Sequence, residues 1–234
     1  MSLKEKYQAI IDSDIDKTSI EGQIQYLTSN FKEIAFSTSF SLEDQLITHF
    51  LSNKSVKFFT LDTGRLFEET YETWSLTLAK YKIKINAFAP EQQLLENFIS
   101  DYGPDSFYQS VESRKQCCTI RKVLPLKKAL KGQQIWITGL RAEHSSSREN
   151  LEIFEFDDDN NIIKYNPLLH WTTEEVRAEI KKFGIPYNKL HDKGYVSIGC
   201  EPCTRAIQKG EDFRAGRWWW EDQSKKECGL HVKN

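Results

Sequence analysis

Five cysteines carry the clearest chemistry in this chain: an adjacent pair at Cys117 and Cys118, a C-x-x-C at Cys200 and Cys203, and Cys228 alone near the end. An odd count at uneven spacing does not suit a disulfide scaffold, so these thiols are expected to do metal or redox work, partitioned four plus one. Zinc and iron–sulfur centres are both held by sets of four thiolates. Neighbouring side chains diverge, which serves one small tetrahedron poorly and a cluster with spread iron corners better. Iron–sulfur is therefore favoured, with structural zinc and buried free thiols left open. Arg114, Lys115, Arg121 and Lys122 lie beside the first pair and would offset the negative charge of a thiolate centre. Lys122 stands one helical turn past Cys118, on the same face. His231 follows Cys228 by three residues, close enough to favour a thiolate or to orient an anion.

A second set of residues suits an anionic ligand. Ser37, Ser39 and Ser41 fall between an apolar run and a helical one, where hydroxyls and backbone amides gather around phosphate. Asp62, Thr63, Gly64 and Arg65 follow the next apolar run, at the same expected sheet edge. Ordinary strand-to-helix turns with capping hydroxyls explain both loops equally well. Arg141 and Arg148 recur in a third loop and Arg214 and Arg217 in the tail, and guanidinium forks suit tetrahedral oxyanions. The run Trp218 to Trp220 is read as a packing anchor in preference to a base platform. His144, His170 and His191 have no metal-ligand spacing and are read as structural.

Strands are expected at 33–39, 56–61, 82–89 and 134–139, with a hairpin across 154–165. Helical spacing fits the first thirty residues, Leu42 to Phe50, Leu66 to Tyr81, a helix from about Thr119 to Leu130 with the cysteine pair at its start, and a capped helix from Thr172. This alternation predicts an α/β fold, a mostly parallel sheet with helices on both faces. It spans 1–234 as one domain, with an irregular C-terminal tail from about 205 that carries Cys228. The formal net charge is −2 and 28% of residues are charged with signs mixed. Neither nucleic acid nor a membrane surface is an expected partner. No run approaches the roughly 18 apolar residues of a membrane span and the start is polar, so a cytoplasmic location is expected.

Cys117-Cys118, Cys200-x-x-Cys203 and the terminal Glu227-Cys-Gly-Leu-His231 together resemble the assimilatory adenylylsulfate reductases, iron–sulfur relatives of the phosphoadenylylsulfate reductases. The resemblance runs from about Ile34 to His231. It implies an adenine-nucleotide alpha hydrolase-like fold and reduction of adenosine 5′-phosphosulfate to sulfite and AMP. It further implies a 4Fe-4S cluster on Cys117, Cys118, Cys200 and Cys203, and Cys228 as the nucleophile that becomes an S-sulfocysteine. Lys122, Arg214 and Arg217 match the family's basic residues around phosphate and sulfate, the loops at Ser37–Ser41 and Asp62–Arg65 match its nucleotide segments, and Arg141 sits in its arginine loop. With four thiols committed to the cluster, an external dithiol such as thioredoxin or glutaredoxin must release sulfite. A homo-oligomer, activity on the 3′-phosphorylated nucleotide and a zinc-stabilised nucleotide-binding module stay open. The first loop lacks the Ser-Gly-Gly-x-Asp pattern of the ATP pyrophosphatases that share the fold, which counts against an adenylating enzyme.

Overall fold

Apolar residues alternate across the short strands, and the alternation decides which helices each face of the sheet receives. The computed structural model describes residues 1–144 and 151–222. Strands β1 (Ile34–Ser37), β2 (Lys57–Leu61), β3 (Ile85–Phe88), β4 (Ile135–Ile137), β5 (Phe154–Asp157) and β6 (Ile162–Tyr165) form one sheet in the order β3-β2-β1-β4-β6-β5. All neighbours are parallel except β5 against β6. Ile34 and Phe36 of β1, Phe58 of β2 and Ile135 and Ile137 of β4 point to one face. There they pack on α2 (Ile20–Asn30), α3 (Leu42–Leu51) and α8 (Thr173–Lys182), through Leu27, Leu46 and Val176. Ala35, Phe59 and Trp136 point the other way, onto Leu126, Ala129 and Leu130 of α7 (Leu124–Leu130). The remaining helices are α1 (Leu3–Asp12), α4 (Glu68–Tyr81), α5 (Gln92–Tyr102) and α6 (Val111–Cys118).

Local chemistry sets the ends. Ser41 caps α3 by accepting from the Asp44 N–H, and Thr172 with Glu175 makes a reciprocal capping box on α8. Lys82, at φ +54, ends α4 and delays β3 to Ile85. The hairpin turn is held by Asp157, which accepts from the Asn160 N–H at 3.2 Å and from its side chain at 2.9 Å.

Two expectations need correction. The cysteine pair does not open a helix at Thr119. It closes α6, which begins at Val111 under a Ser110 cap, and a π turn at Thr119–Val123 then leads into α7. The helix α5 was not anticipated; Leu95, Phe98 and Ile99 give it a helical apolar spacing, but neither end carries a side-chain cap. Among the described residues no helix is long and apolar enough to cross a membrane.

Candidate active site

The chain runs from β1 outward to β2 and β3, then returns to place β4 on the other side of β1. Where strand order reverses, the loops leaving neighbouring strands diverge and a crevice opens at their carboxyl ends. A cleft of about 240 Å³ lies there, walled by the loops after β1, β2 and β4, by 196–199, and by Lys122, Arg214 and Arg217. Ser37, Ser39, Ser41 and Thr63 line it as well.

On the sheet side the loop is fixed from within. The Asp44 carboxylate accepts from the Ser39 N–H at 2.6 Å and the Ser39 hydroxyl at 2.7 Å, and it lies against Gly139 so closely that a Cβ there would stand 2.1 Å from its Oδ1. Burial pushes this carboxyl up to about 7 despite the bonds from Ser39, with Glu43 adding to the rise. Asp44 lines the cleft but was not singled out in the sequence, where an acid in the first turn of a helix reads as a partner for the helix dipole. Phe40, between the two serines, takes φ +61, a conformation that favours glycine; it is fully buried and stacks on Trp74 at 5.4 Å.

Arg141 does not face the cleft. It is 1% exposed and its fork donates to Glu43 at 2.9 Å from Nε. Other bonds run to Glu143, the Trp171 carbonyl and the Thr173 hydroxyl, so it ties the end of β4 to the starts of α3 and α8. Asp62 accepts from the Gly64 N–H (2.9 Å) and the Tyr71 hydroxyl (2.8 Å) in a turn where Gly64 takes φ +68. Arg65 turns away from the cleft to the Pro104 carbonyl and stacks on Phe107, 5.0 Å from its centroid. Cys228, His231 and Arg148 lie outside the described residues.

Beside the cleft, Cys117, Cys118, Cys200 and Cys203 line one small cavity of about 10 Å³ together with Arg65, Arg121, Lys122 and Trp218. None of the four is in a disulfide. Among the described residues no three His, Cys, Asp or Glu groups converge as a site for a single metal ion. Burial pushes the Cys203 thiol up to about 12, with Cys200 adding to the rise and Lys122 and Arg217 opposing it, and burial raises Cys117 too. Thr63 joins the two regions: its hydroxyl meets Cys200 Sγ at 3.3 Å, and its carbonyl accepts from Arg121 at 2.6 Å. The Glu201 N–H donates to the Arg65 carbonyl at 2.8 Å, seating the C-x-x-C loop on the loop after β2. Lys122, on the π turn, lines both the cavity and the cleft.

The tail supplies the last wall. Of the tryptophan run expected to anchor the tail by packing, Trp218 is 1% exposed but Trp219 is 40% exposed; the Trp218 backbone N–H donates to the Cys203 carbonyl at 3.1 Å. Arg217 lies over its ring at 4.8 Å and packs on Gly199, where a Cβ would come within 2.3 Å of the guanidinium. The Arg217 Nε is buried with no hydrogen-bond partner among the described residues. The Nη1 of the same guanidinium donates to the Ser197 hydroxyl at 3.5 Å, so it is the Nε donor alone that is left unmet on this wall, where a buried polar group ordinarily has a partner.

Residues 33–206 match the phosphoadenosine phosphosulfate reductase domain. An adenosine 5′-phosphosulfate reductase from Agrobacterium fabrum is 44% identical, over 96% of this chain and 87% of that protein. Another, from Burkholderia cepacia, is 48% identical over 86% of this chain and 81% of its own length. In the crystal structure of a Candida auris phosphoadenylyl-sulfate reductase in complex with phosphate, the matching chain is 26% identical, with a TM-score of 0.70 over 88% of this chain and 96% of that one. A yeast FAD synthetase in complex with FAD, 16% identical, shares the fold with a TM-score of 0.52 over 80% of this chain and 65% of its own. With strand order, cleft and cysteine loops all falling within or beside the matched stretch, the chain belongs to the phosphoadenosine phosphosulfate reductase family.

Proposed function

We propose that this protein reduces adenosine 5′-phosphosulfate to sulfite and AMP, with Cys228 as the nucleophile. The observation that carries the reading is the buried, unpaired Arg217 donor, on a cleft wall shared with Arg214 and Lys122. Three cations there suit a ligand with adjacent phosphate and sulfate groups. The names of the relatives from Agrobacterium and Burkholderia support the same substrate.

Cys117, Cys118, Cys200 and Cys203 fit a 4Fe-4S cluster by their donor chemistry: four thiols around one cavity, flanked by Arg121 and Lys122. High thiol pKa values at Cys117 and Cys203 mean that metal must displace protons on loading. When bound, the cluster supplies a fixed centre of charge beside the cleft. The chain's own residues do the rest. Ser39, Ser41 and Thr63 bind and orient the nucleotide at the strand ends, while Lys122, Arg214 and Arg217 neutralise charge on the phosphosulfate oxygens. The Cys228 thiolate, favoured by His231, attacks sulfur; the bond from sulfur to the phosphate oxygen breaks, AMP leaves with that oxygen, and Cys228 becomes an S-sulfocysteine. One thiolate of an external dithiol, thioredoxin or glutaredoxin, attacks the Cys228 sulfur and expels sulfite. Its second thiol resolves the mixed disulfide, restoring Cys228 and supplying two electrons in all.

The test is sulfite release by anaerobically purified protein with reduced thioredoxin and each sulfonucleotide. Four irons and four sulfides per chain, turnover of the nucleotide without a 3′-phosphate, and one sulfonate mapped to Cys228 are expected. Cys228→Ser should keep the iron, bind AMP and release no sulfite. A colourless protein with one zinc, or turnover by Cys228→Ser, sinks the reading. The likeness to the Candida auris enzyme favours a second reading, and a higher kcat/KM for the 3′-phosphorylated nucleotide would select it.

A further inference from the structure

Arg114 lies on α6 three residues before Cys117, and Glu221 lies in the tail three residues after Trp218. Their side chains meet as a two-pronged pair: Arg114 donates to the two Glu221 oxygens at 2.8 Å from Nε and 2.8 Å from Nη2. The side chains are only 1% and 4% exposed. A buried ion pair stabilises a fold no better than apolar packing would, but a planar fork accepts a carboxylate in few orientations, so it fixes geometry. Here the geometry is that of an irregular segment. Trp218 takes φ +42, its carbonyl accepts from the Glu221 N–H at 2.9 Å, and its ring packs against Arg114 at 4.5 Å, Arg217 at 4.8 Å and Arg214 at 5.6 Å. One short stretch is thereby tied to the cysteine helix, to Cys203 and to both cleft arginines of the tail.

Glu221 is seven residues before Cys228. Seven extended residues span at most about 24 Å, so the point at which Glu221 is held bounds where the thiol can act. We infer that the Arg114–Glu221 pair is a positioning element that fixes the root of the Cys228 segment where the cysteine cavity meets the cleft. The inference rests on the reading of Cys228 as nucleophile. Arg114 also lines the cysteine cavity, and the pair gives it a second task beside balancing cluster charge, with its fork engaged by a carboxylate from the tail. Holding the root limits the volume the thiol can visit to that reach and so raises its effective concentration at the substrate sulfur.

Glu221→Gln keeps the shape and one acceptor, whereas Arg114→Lys keeps the charge and loses the fork. In the full-length, metal-loaded protein both should slow single-turnover formation of the Cys228 adduct about tenfold or more. AMP affinity and iron content should stay at the wild-type level, and backbone hydrogen exchange over 216–222 should quicken while the sheet is unchanged. An adduct formed at the wild-type rate in either variant overturns the inference. So does loss of AMP binding or iron in both, which would make the pair a stabilising contact alone. If the unaltered protein forms no adduct, the nucleophile reading falls and takes this inference with it.

Discussion

On the sheet side of the cleft, Ser39, Ser41 and Asp44 are held by bonds that span two to five residues: a helix cap, a carboxylate on its own loop, and Thr38 accepting from the Phe40 N–H. On the cysteine side local bonds shape each loop, as where the Thr204 hydroxyl donates to the Cys200 carbonyl, but the ties that bring the loops together cross the sequence, 137 residues from Thr63 to Cys200, 58 from Arg121 to Thr63 and 107 from Arg114 to Glu221. The first wall is preorganised by regular structure, with Arg141 on Glu43 tying its helix to the end of β4. The second is loop and tail, and long-range contacts must meet the loop-closure entropy that short-range ones avoid. Ligand binding and metal binding should therefore be separable, the strand-end loops surviving damage to the cysteine side.

Cys203→Ser is the severest way to test that separation. Iron content should collapse and sulfite release fall by roughly a hundredfold or more, while calorimetry still detects AMP binding. Equal loss of AMP binding would show that the two walls are one unit. Asp44→Asn probes the sheet side by pH. The folded-state pKa of about 7 lies above the ordinary 3.8, so the folded protein holds the proton longer than the unfolded chain does. Wild-type stability should thus be fullest below pH 4 in this respect and decline as pH rises through 7. The total is roughly 4 kcal/mol by the free energy of a pKa unit. Urea unfolding of wild type and Asp44→Asn across pH 4 to 8 should diverge by this trend; parallel curves would remove the buried proton. Gly139→Ala is the mildest, since the added methyl meets Asp44 and should cost about 1–3 kcal/mol by overpacking. Thermal melts should register the loss with iron content unchanged, whereas iron lost from this variant would couple the walls.

Most of the sheet side was legible because its signals are local. Alternation in Ile34-Ala-Phe and Ile135-Trp-Ile places residues on opposite faces, and a serine before an amphipathic run marks a cap. The cysteine side was legible only as composition. Two cysteine pairs 82 residues apart announce a shared site, but nothing local says that the first pair ends a helix instead of starting one, because Thr119 and Ser110 are both plausible caps. Arg141 shows the limit for charges. A guanidinium awaiting a ligand and one already engaged by Glu43, 98 residues away, look alike in one dimension. Asp44 hides for the opposite reason, since its local signal has an adequate explanation that stops the search.

The π turn at Thr119–Val123 has a consequence for the length of this segment. Such a turn amounts to one residue more than an α-helix would need, and each residue of an α-helix advances by about 100°. Removing one residue between Cys118 and Leu126 would close the turn into regular α-helix and leave α6 and α7 in phase, so the cysteine pair and the seat of Leu126 and Ala129 on the sheet would both be kept. What would be lost is the wide turn itself, and with it the placing of Lys122, which lies on that turn and lines both the cavity and the cleft. The extra residue therefore decides where one side chain stands, whereas a change of length is ordinarily read as a change of reach.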